Sequence, residues 1–202
     1  MQYFPIHPDN PQIRILQKVV SVLKDDNGIC VYPTDTVYGM GVAASNPKAV
    51  DKIGDVLKKD KKRLLSYICC DFSQISLYAR LSTSAFKLLK RYLPGPYTFL
   101  LPATGFVPKK VCPKRRVVGI RFPQSPTVIE LVRLLGEPLA NTSIHLPGNL
   151  RGDPVAVKAA MLNDVDIMLD AGILSEPVGS TIIDLTTDDP VLVRPGKGIW
   201  KE

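Results

Sequence analysis

The sequence predicts an α/β fold, one domain over residues 1–202 built on a mixed β-sheet with flanking helices. Three observations lead there. Segments with helical apolar spacing alternate with short β-rich runs along the whole chain. Several of those runs are separated by only a few residues, too few for a helical crossover, so some neighbours must pair antiparallel. The length of 202 residues suits one domain of ordinary size, and no repeat, low-complexity stretch or linker divides it.

Taken in order, residues 11–26 read as a helix. Asn10 is the expected cap, Pro11 the first helical residue, and Gly28 follows the end. Ile13, Leu16, Val19, Val20 and Leu23 give it one apolar face. Residues 28–32 form a β-rich run stopped by Pro33, and 37–42 a second run. Helical spacing returns over 47–57 through Ala49, Val50, Ile53 and Val56. Residues 64–69 suit a buried strand, and 82–93 a helix ended by Pro94-Gly95-Pro96. Strands follow at 97–101 and 117–122. Ser125-Pro126 opens a helix through Val128, Leu131, Val132 and Leu135 that closes at Gly136. Further strands are expected at 139–142, 166–169, 180–185 and 191–194, with a helix over 154–162.

Composition narrows the function classes. Hydrophobic residues make up 45% of the chain and charged residues 22%, which is globular rather than disordered composition. No apolar run approaches the roughly 18–20 residues that span a bilayer. The N-terminus lacks a basic segment followed by an apolar one, so a soluble, cytoplasmic protein without membrane contact is expected. Four scattered cysteines and two histidines offer no zinc-ligand spacing, and no metal site is expected. The adjacent Cys69 and Cys70 read as buried reduced thiols pointing to opposite faces. Lys and Arg number 26 against 19 Asp and Glu, for a net charge of +7. The excess gathers in residues 58–63 and again at Lys109, Lys110, Lys114, Arg115 and Arg116, in expected loops. Such clusters are either solvated loop charge or a footprint for an anionic partner, nucleotide or RNA.

No phosphate-binding GxxxxGK[ST] loop, dinucleotide GxGxxG turn or nucleophile elbow is present, and Gly196-Lys197-Gly198 has the wrong surroundings for the first. Chemistry must therefore rest on hydroxyls, cations and backbone donors. The turn Thr34-Asp35-Thr36 between two apolar runs either satisfies its own backbone or binds a small polar substrate. Arg121 ends an otherwise apolar run, so its guanidinium is either paired inside or presented to a carboxylate or phosphate. Arg194 repeats that pattern. Asn141-Thr142-Ser143-Ile144-His145 and Ser180-Thr181 also place polar groups at strand ends, and together these segments point to one cleft rim.

At these positions the sequence resembles the YrdC/YciO family of threonylcarbamoyl-AMP synthases and their paralogues. The resemblance is carried by residues 32–39 (YPTDTVYG), 93–98 (LPGPYT), 118–123 (VGIRFP), 138–148, 180–185 and 193–196 (VRPG), in family order over nearly the whole chain. The opening residues 4–11 and the form of 64–101 resemble the YciO branch in particular. The resemblance implies a twisted mixed sheet with a concave basic cleft. It implies a nucleotidyltransferase that condenses L-threonine, bicarbonate and ATP, with Mg²⁺ on the ATP, in the pathway that modifies an adenosine of tRNA. ATP is there a substrate, and no tightly bound cofactor is expected. By match to the family motifs, Thr36, Arg121 and Ser180 would hold threonine. Ser143 and Arg194 would contact the nucleotide. The family's K-x-R signature falls on Lys61-Lys62-Arg63, or in an earlier register on Lys59 and Lys61, which contains no arginine. Its S-x-N signature reads Ser143-Ile144-His145, which puts His145 at the nucleotide in place of asparagine. Ile68 stands where the family uses a histidine. These departures keep a second function open, a non-catalytic paralogue whose basic cleft binds double-stranded RNA, tRNA or rRNA. A hydrolase-like use of the cleft with His145 as base is a third.

Overall fold

The computed structural model of the chain describes residues 1–57, 65–108, 116–187 and 189–201. Among these residues ten strands join in one sheet. In chain order they are β1 (Gln2–Pro5), β2 (Cys30–Tyr32), β3 (Gly39–Ala43), β4 (Ser66–Ile68), β5 (Tyr97–Pro102), β6 (Val117–Arg121), β7 (Leu139–Ser143), β8 (Ile167–Asp170), β9 (Thr181–Asp184) and β10 (Val191–Arg194). Across the sheet the order is β1-β8-β2-β3-β7-β4-β6-β5-β9-β10. Strand β8 is parallel to β1 and β2, β4 to β6, and β5 to β9; the other neighbours are antiparallel. The sheet is mixed, as the short connections require.

The helices are α1 (Ile13–Asp25), α2 (Pro47–Leu57), α3 (Phe72–Tyr78), α4 (Thr83–Tyr92), α5 (Pro126–Leu135) and α6 (Pro154–Met161). Strand alternation divides the core into two clusters. Ile29, Val31, Tyr67, Cys69, Phe99 and Ile120 pack against α2, α3, α4 and α6. On the other face Cys30, Tyr32, Ile68, Cys70, Leu139 and Ile167 meet Leu16, Val19 and Leu23 of α1 and Val128, Leu131 and Leu135 of α5. Cys69 and Cys70 thus lie in opposite clusters, with their thiol pKa values pushed up by burial. No residue of β5, β6, β9 or β10 belongs to the α1/α5 cluster. That half of the sheet face carries no helix among the described residues, and the cleft opens there.

Several boundaries differ from the sequence reading. Helix α1 begins at Ile13, with Gln12 as a cap whose side chain makes no bond to the helix amides. Residues 7–12 form a turn of their own: His7 Nδ1 accepts the amides of Asp9 and Asn10, and the His7 amide donates to Gln12. Asn10 is therefore drawn away from the helix and does not cap it. Strand β3 starts at Gly39 because the Thr34 hydroxyl accepts the Val37 amide and donates to the Val37 carbonyl, closing 34–37 as a turn. Strand β1, unforeseen, has four residues with no alternation to reveal it and pairs only with β8. Helix α3, also unforeseen, is capped by Asp71, whose side chain accepts the Gln74 amide. Helices α4 and α5 follow expectation, with Ser82 capping the first and Gly136 ending the second at φ 77°. Strand β10, expected as a strand, lies exposed at the edge of the sheet, and its register against β9 shifts between Leu192 and Arg194. No described helix is long and apolar enough to cross a membrane.

Candidate functional site

The uncovered half of the sheet face is the floor of a cleft of about 420 Å³. Its wall residues come from β4, β5, β6, β7, β9 and β10. Side-chain alternation selects them: Gly119 and Arg121 of β6 and Thr98 and Leu100 of β5 face the cleft, while Ile120 and Phe99 face the opposite core.

At one end lies Arg121, the last residue of β6 and 3% exposed. Its Nη2 donates to Asp35 Oδ1 and to Thr36 Oγ1, each at 3.0 Å. The other Asp35 oxygen accepts the Gln124 amide at 2.9 Å, and the Thr34 and Thr36 hydroxyls lie 2.9 Å apart. The turn satisfies its own backbone through Thr34, while Asp35 and Thr36 pair with the arginine. The Arg121 Nε is buried without a partner among the described residues. Burial lowers the guanidinium pKa, and Asp35 works against that shift. The result is a desolvated cation with one strong donor left over.

Beside it stand Ser180, Thr98 and Arg194. Ser180 Oγ lies 2.7 Å from Thr98 Oγ1, and Arg194 Nη2 donates to the Ser180 carbonyl at 2.7 Å. The register shift in β10 decides this placement. One extra residue brings Arg194 level with Ile182, which faces the cleft; an unbroken ladder would set it on the opposite face. Burial lowers the Arg194 pKa, and repulsion from Arg121 and Arg151 lowers it further. Three guanidinium groups thus share one field, which a bound anion would relieve. The Gly196-Lys197-Gly198 stretch is a clasp: the Lys197 amide donates to Gly179 O at 2.9 Å, and Thr181 Oγ1 donates to Gly198 O at 2.6 Å.

The third group is set in the middle of the floor. The Tyr32 hydroxyl donates to Asn141 Oδ1 at 2.7 Å, and Asn141 Nδ2 donates to Ser66 Oγ at 3.3 Å. To reach Asn141 the tyrosine ring crosses β3 over Gly39 and Gly41. A Cβ at 41 would fall 2.5 Å from the Tyr32 hydroxyl, and one at 39 would fall 2.8 Å from Asn141 Oδ1. Ser143, at the end of β7, and the exposed His145 line the same cleft further on.

Of the residues singled out in the sequence, the structure brings Thr36, Arg121, Ser180, Arg194, Ser143 and His145 to one cleft or its wall. Lys59, Lys61 and Arg63 lie outside the described residues, as do Lys109, Lys110, Lys114 and Arg115. Thr98, Ser66, Arg151 and Tyr32 were not among the candidates, and Asn141 was marked only within the polar segment 141–145, without its tyrosine partner. A signal for the pair did exist, since two glycines at i and i+2 in one strand mark a close approach to its face. Arg151, in the short turn Gly148–Gly152, carries no such mark. No three His, Cys, Asp or Glu side chains gather as a metal-binding set among the described residues.

The Sua5/yciO/yrdC family profile, described as telomere recombination, matches residues 22–196. Escherichia coli YciO is 37% identical over 98% of this chain and 97% of its own, and its crystal structure superimposes with a TM-score of 0.91. The threonylcarbamoyl-AMP synthase of Bacillus subtilis is 34% identical over 189 residues, which are 90% of this chain and 53% of that one. The crystal structure of Pyrococcus abyssi Sua5 complexed with L-threonine matches 97% of this chain and 58% of its own, with a TM-score of 0.88 at 26% identity. The chain spans little more than half of those two proteins.

Proposed function

The chain belongs to the Sua5/YciO/YrdC family, and we propose that it acts within that family as an L-threonylcarbamoyl-AMP synthase. One observation carries the reading. The buried Arg121 lines a cleft that also holds Arg194 and Ser180, with its Nη2 on the Thr36 hydroxyl and its Nε without a partner among the described residues. A desolvated guanidinium with a spare donor is prepared for a carboxylate, and the second cation for a phosphate. That a relative of the same fold has been crystallised with L-threonine supports the choice of amino acid. The threonine amine and bicarbonate give a carbamate with loss of water. A carbamate oxygen then attacks the α-phosphorus of ATP, the bond from that phosphorus to the bridging oxygen breaks, and pyrophosphate leaves. The protein contributes orientation and fixed positive charge rather than a proton relay. Mg²⁺ enters with ATP as part of the substrate. Ser143 and His145 would flank the nucleotide end, with His145 offering one ring N–H to a phosphate oxygen.

The test is direct. Purified protein is incubated with Mg·ATP, bicarbonate and L-threonine, and pyrophosphate and threonylcarbamoyl-AMP are followed by chromatography. Threonine-dependent release of both is expected. Their absence, beside an active relative as control, would remove the synthase reading.

A further inference from the structure

Asn141 is a polar residue at a position where an apolar one would serve the fold. It lies within β7, 2% exposed, level with Gly41 on one side and Ser66 on the other, yet its amide borders the cleft. Its orientation is fixed. The single hydrogen of the Tyr32 hydroxyl goes to Asn141 Oδ1, and burial keeps that phenol protonated by raising its pKa well above the ordinary value. With the oxygen engaged, Nδ2 must turn toward Ser66. One amide hydrogen is used there. The other has no acceptor among the described residues. Gly39 and Gly41 weaken β3 as a strand, and what they provide is the room for this arrangement.

The register locates the spare donor. Asn141 is level with Gly119 two strands away, and Arg121 lies two residues further along that strand, about 7 Å along the strands and about 10 Å across them. Ser143 and His145 lie in the other direction. The free N–H therefore points into the cleft between the end at Arg121 and the end at Ser143.

We infer that Asn141 holds the carbamate of the reaction, its free N–H donating to the carbamate oxygen that does not attack phosphorus, with Tyr32 as the positioning residue behind it. The inference rests on the synthase reading. Asn141 transfers no proton: the attacking oxygen supplies the electron pair of the new O–P bond, and the pair of the broken P–O bond leaves with pyrophosphate. A free carbamate reverts easily to amine and carbon dioxide. A fixed donor on its second oxygen both retains it and aims the first oxygen at the α-phosphorus.

The experiment measures threonine-dependent pyrophosphate release against bicarbonate concentration, with threonine and ATP affinities taken separately by calorimetry. Asn141→Asp keeps the shape and the Tyr32 bond but removes the donor and adds repulsion; Asn141→Ala removes the donor together with the acceptor of the Tyr32 hydroxyl. Both are expected to raise the bicarbonate KM about tenfold or more, a hydrogen bond to a charged group, while threonine and ATP affinities stay within about twofold. Tyr32→Phe should move the bicarbonate KM the same way by less. An unchanged bicarbonate dependence overturns the inference and leaves the synthase reading standing. Equal weakening toward all three substrates overturns it too, because that is the mark of a structural role. Absence of turnover in the unaltered protein overturns both together. Should the variants fail to fold, the Asn141 side-chain amide in ¹⁵N-labelled wild-type protein decides. It must shift when bicarbonate is added to protein already holding threonine and Mg·ATP; no shift overturns the inference.

Discussion

The two halves of one sheet face have opposite fates. Under α1 and α5 the face is closed over an apolar cluster that includes Cys30, Tyr32, Ile68, Leu139 and Ile167. From β6 to β10 the same face, with the same alternation, carries no helix among the described residues and presents Arg121, Thr98, Ser180 and Arg194. Strand geometry alone would treat both halves alike. What separates them is cover: burial against a helix selects for apolar surface, while an open concavity can hold desolvated cations provided each has a partner.

Variants on either side of the boundary sharpen that contrast. The largest effect is expected at Arg121. Arg121→Ala leaves the Asp35 carboxylate buried beside an empty space and should cost about 3–5 kcal/mol in chemical denaturation. Threonine binding should fall below calorimetric detection in the same variant, and retained threonine affinity would place Arg121 outside the site. Next comes Leu131→Ala in α5, wholly buried on the covered half. It should cost about 3 kcal/mol through the cavity it leaves, with threonine affinity unchanged. If affinity fell in step with stability, the two halves would be coupled and the contrast would fail. Gly41→Ala lies on the boundary itself, and its Cβ would crowd the Tyr32 hydroxyl at 2.5 Å. A loss of about 1–3 kcal/mol is expected by thermal unfolding, with a displaced Asn141 amide resonance. The smallest stability effect belongs to Arg194→Ala, within about 1 kcal/mol, since its bond to the Ser180 carbonyl sits on an exposed edge strand. Its effect should fall on ATP affinity instead, lowered about tenfold by calorimetry for one lost charge-assisted bond.

Much of this division was legible in the sequence, and the reasons are local. The helical spacing of Leu16, Val19 and Leu23, and of Val128, Leu131 and Leu135, marks the two covering helices directly. Arg121 at the end of an apolar run marks a cation that must be paired inside or presented to an anion, and the 34–36 turn marks a group of polar side chains at a strand end. What stayed hidden depends on pairing between distant strands. That Asp35 is the carboxylate meeting Arg121 follows from the fold bringing together residues 86 positions apart. That Tyr32 crosses β3 to Asn141 needs the β2-β3-β7 order. The strand carrying Arg194 was expected, but its place at the edge was not legible, because an apolar tripeptide looks alike at the centre and at the edge of a sheet. The shift that turns it toward Ile182 belongs to the β9–β10 ladder and leaves no trace in residues 191–194 alone.

That irregular ladder has a consequence for how the protein behaves at high concentration. Val191, Leu192 and Val193 are 53%, 43% and 53% exposed on the last strand of the sheet, a composition that invites another chain to continue the hydrogen-bonding pattern. A straight edge of that kind is a template for aggregation. The extra residue before Arg194 breaks the spacing of donors and acceptors along the free side, and it ends the apolar stretch in a charge. The same irregularity that aims a cation into the cleft guards the molecule against sticking to its own copies. Straightening it would therefore be expected to reduce solubility as well as ligand affinity.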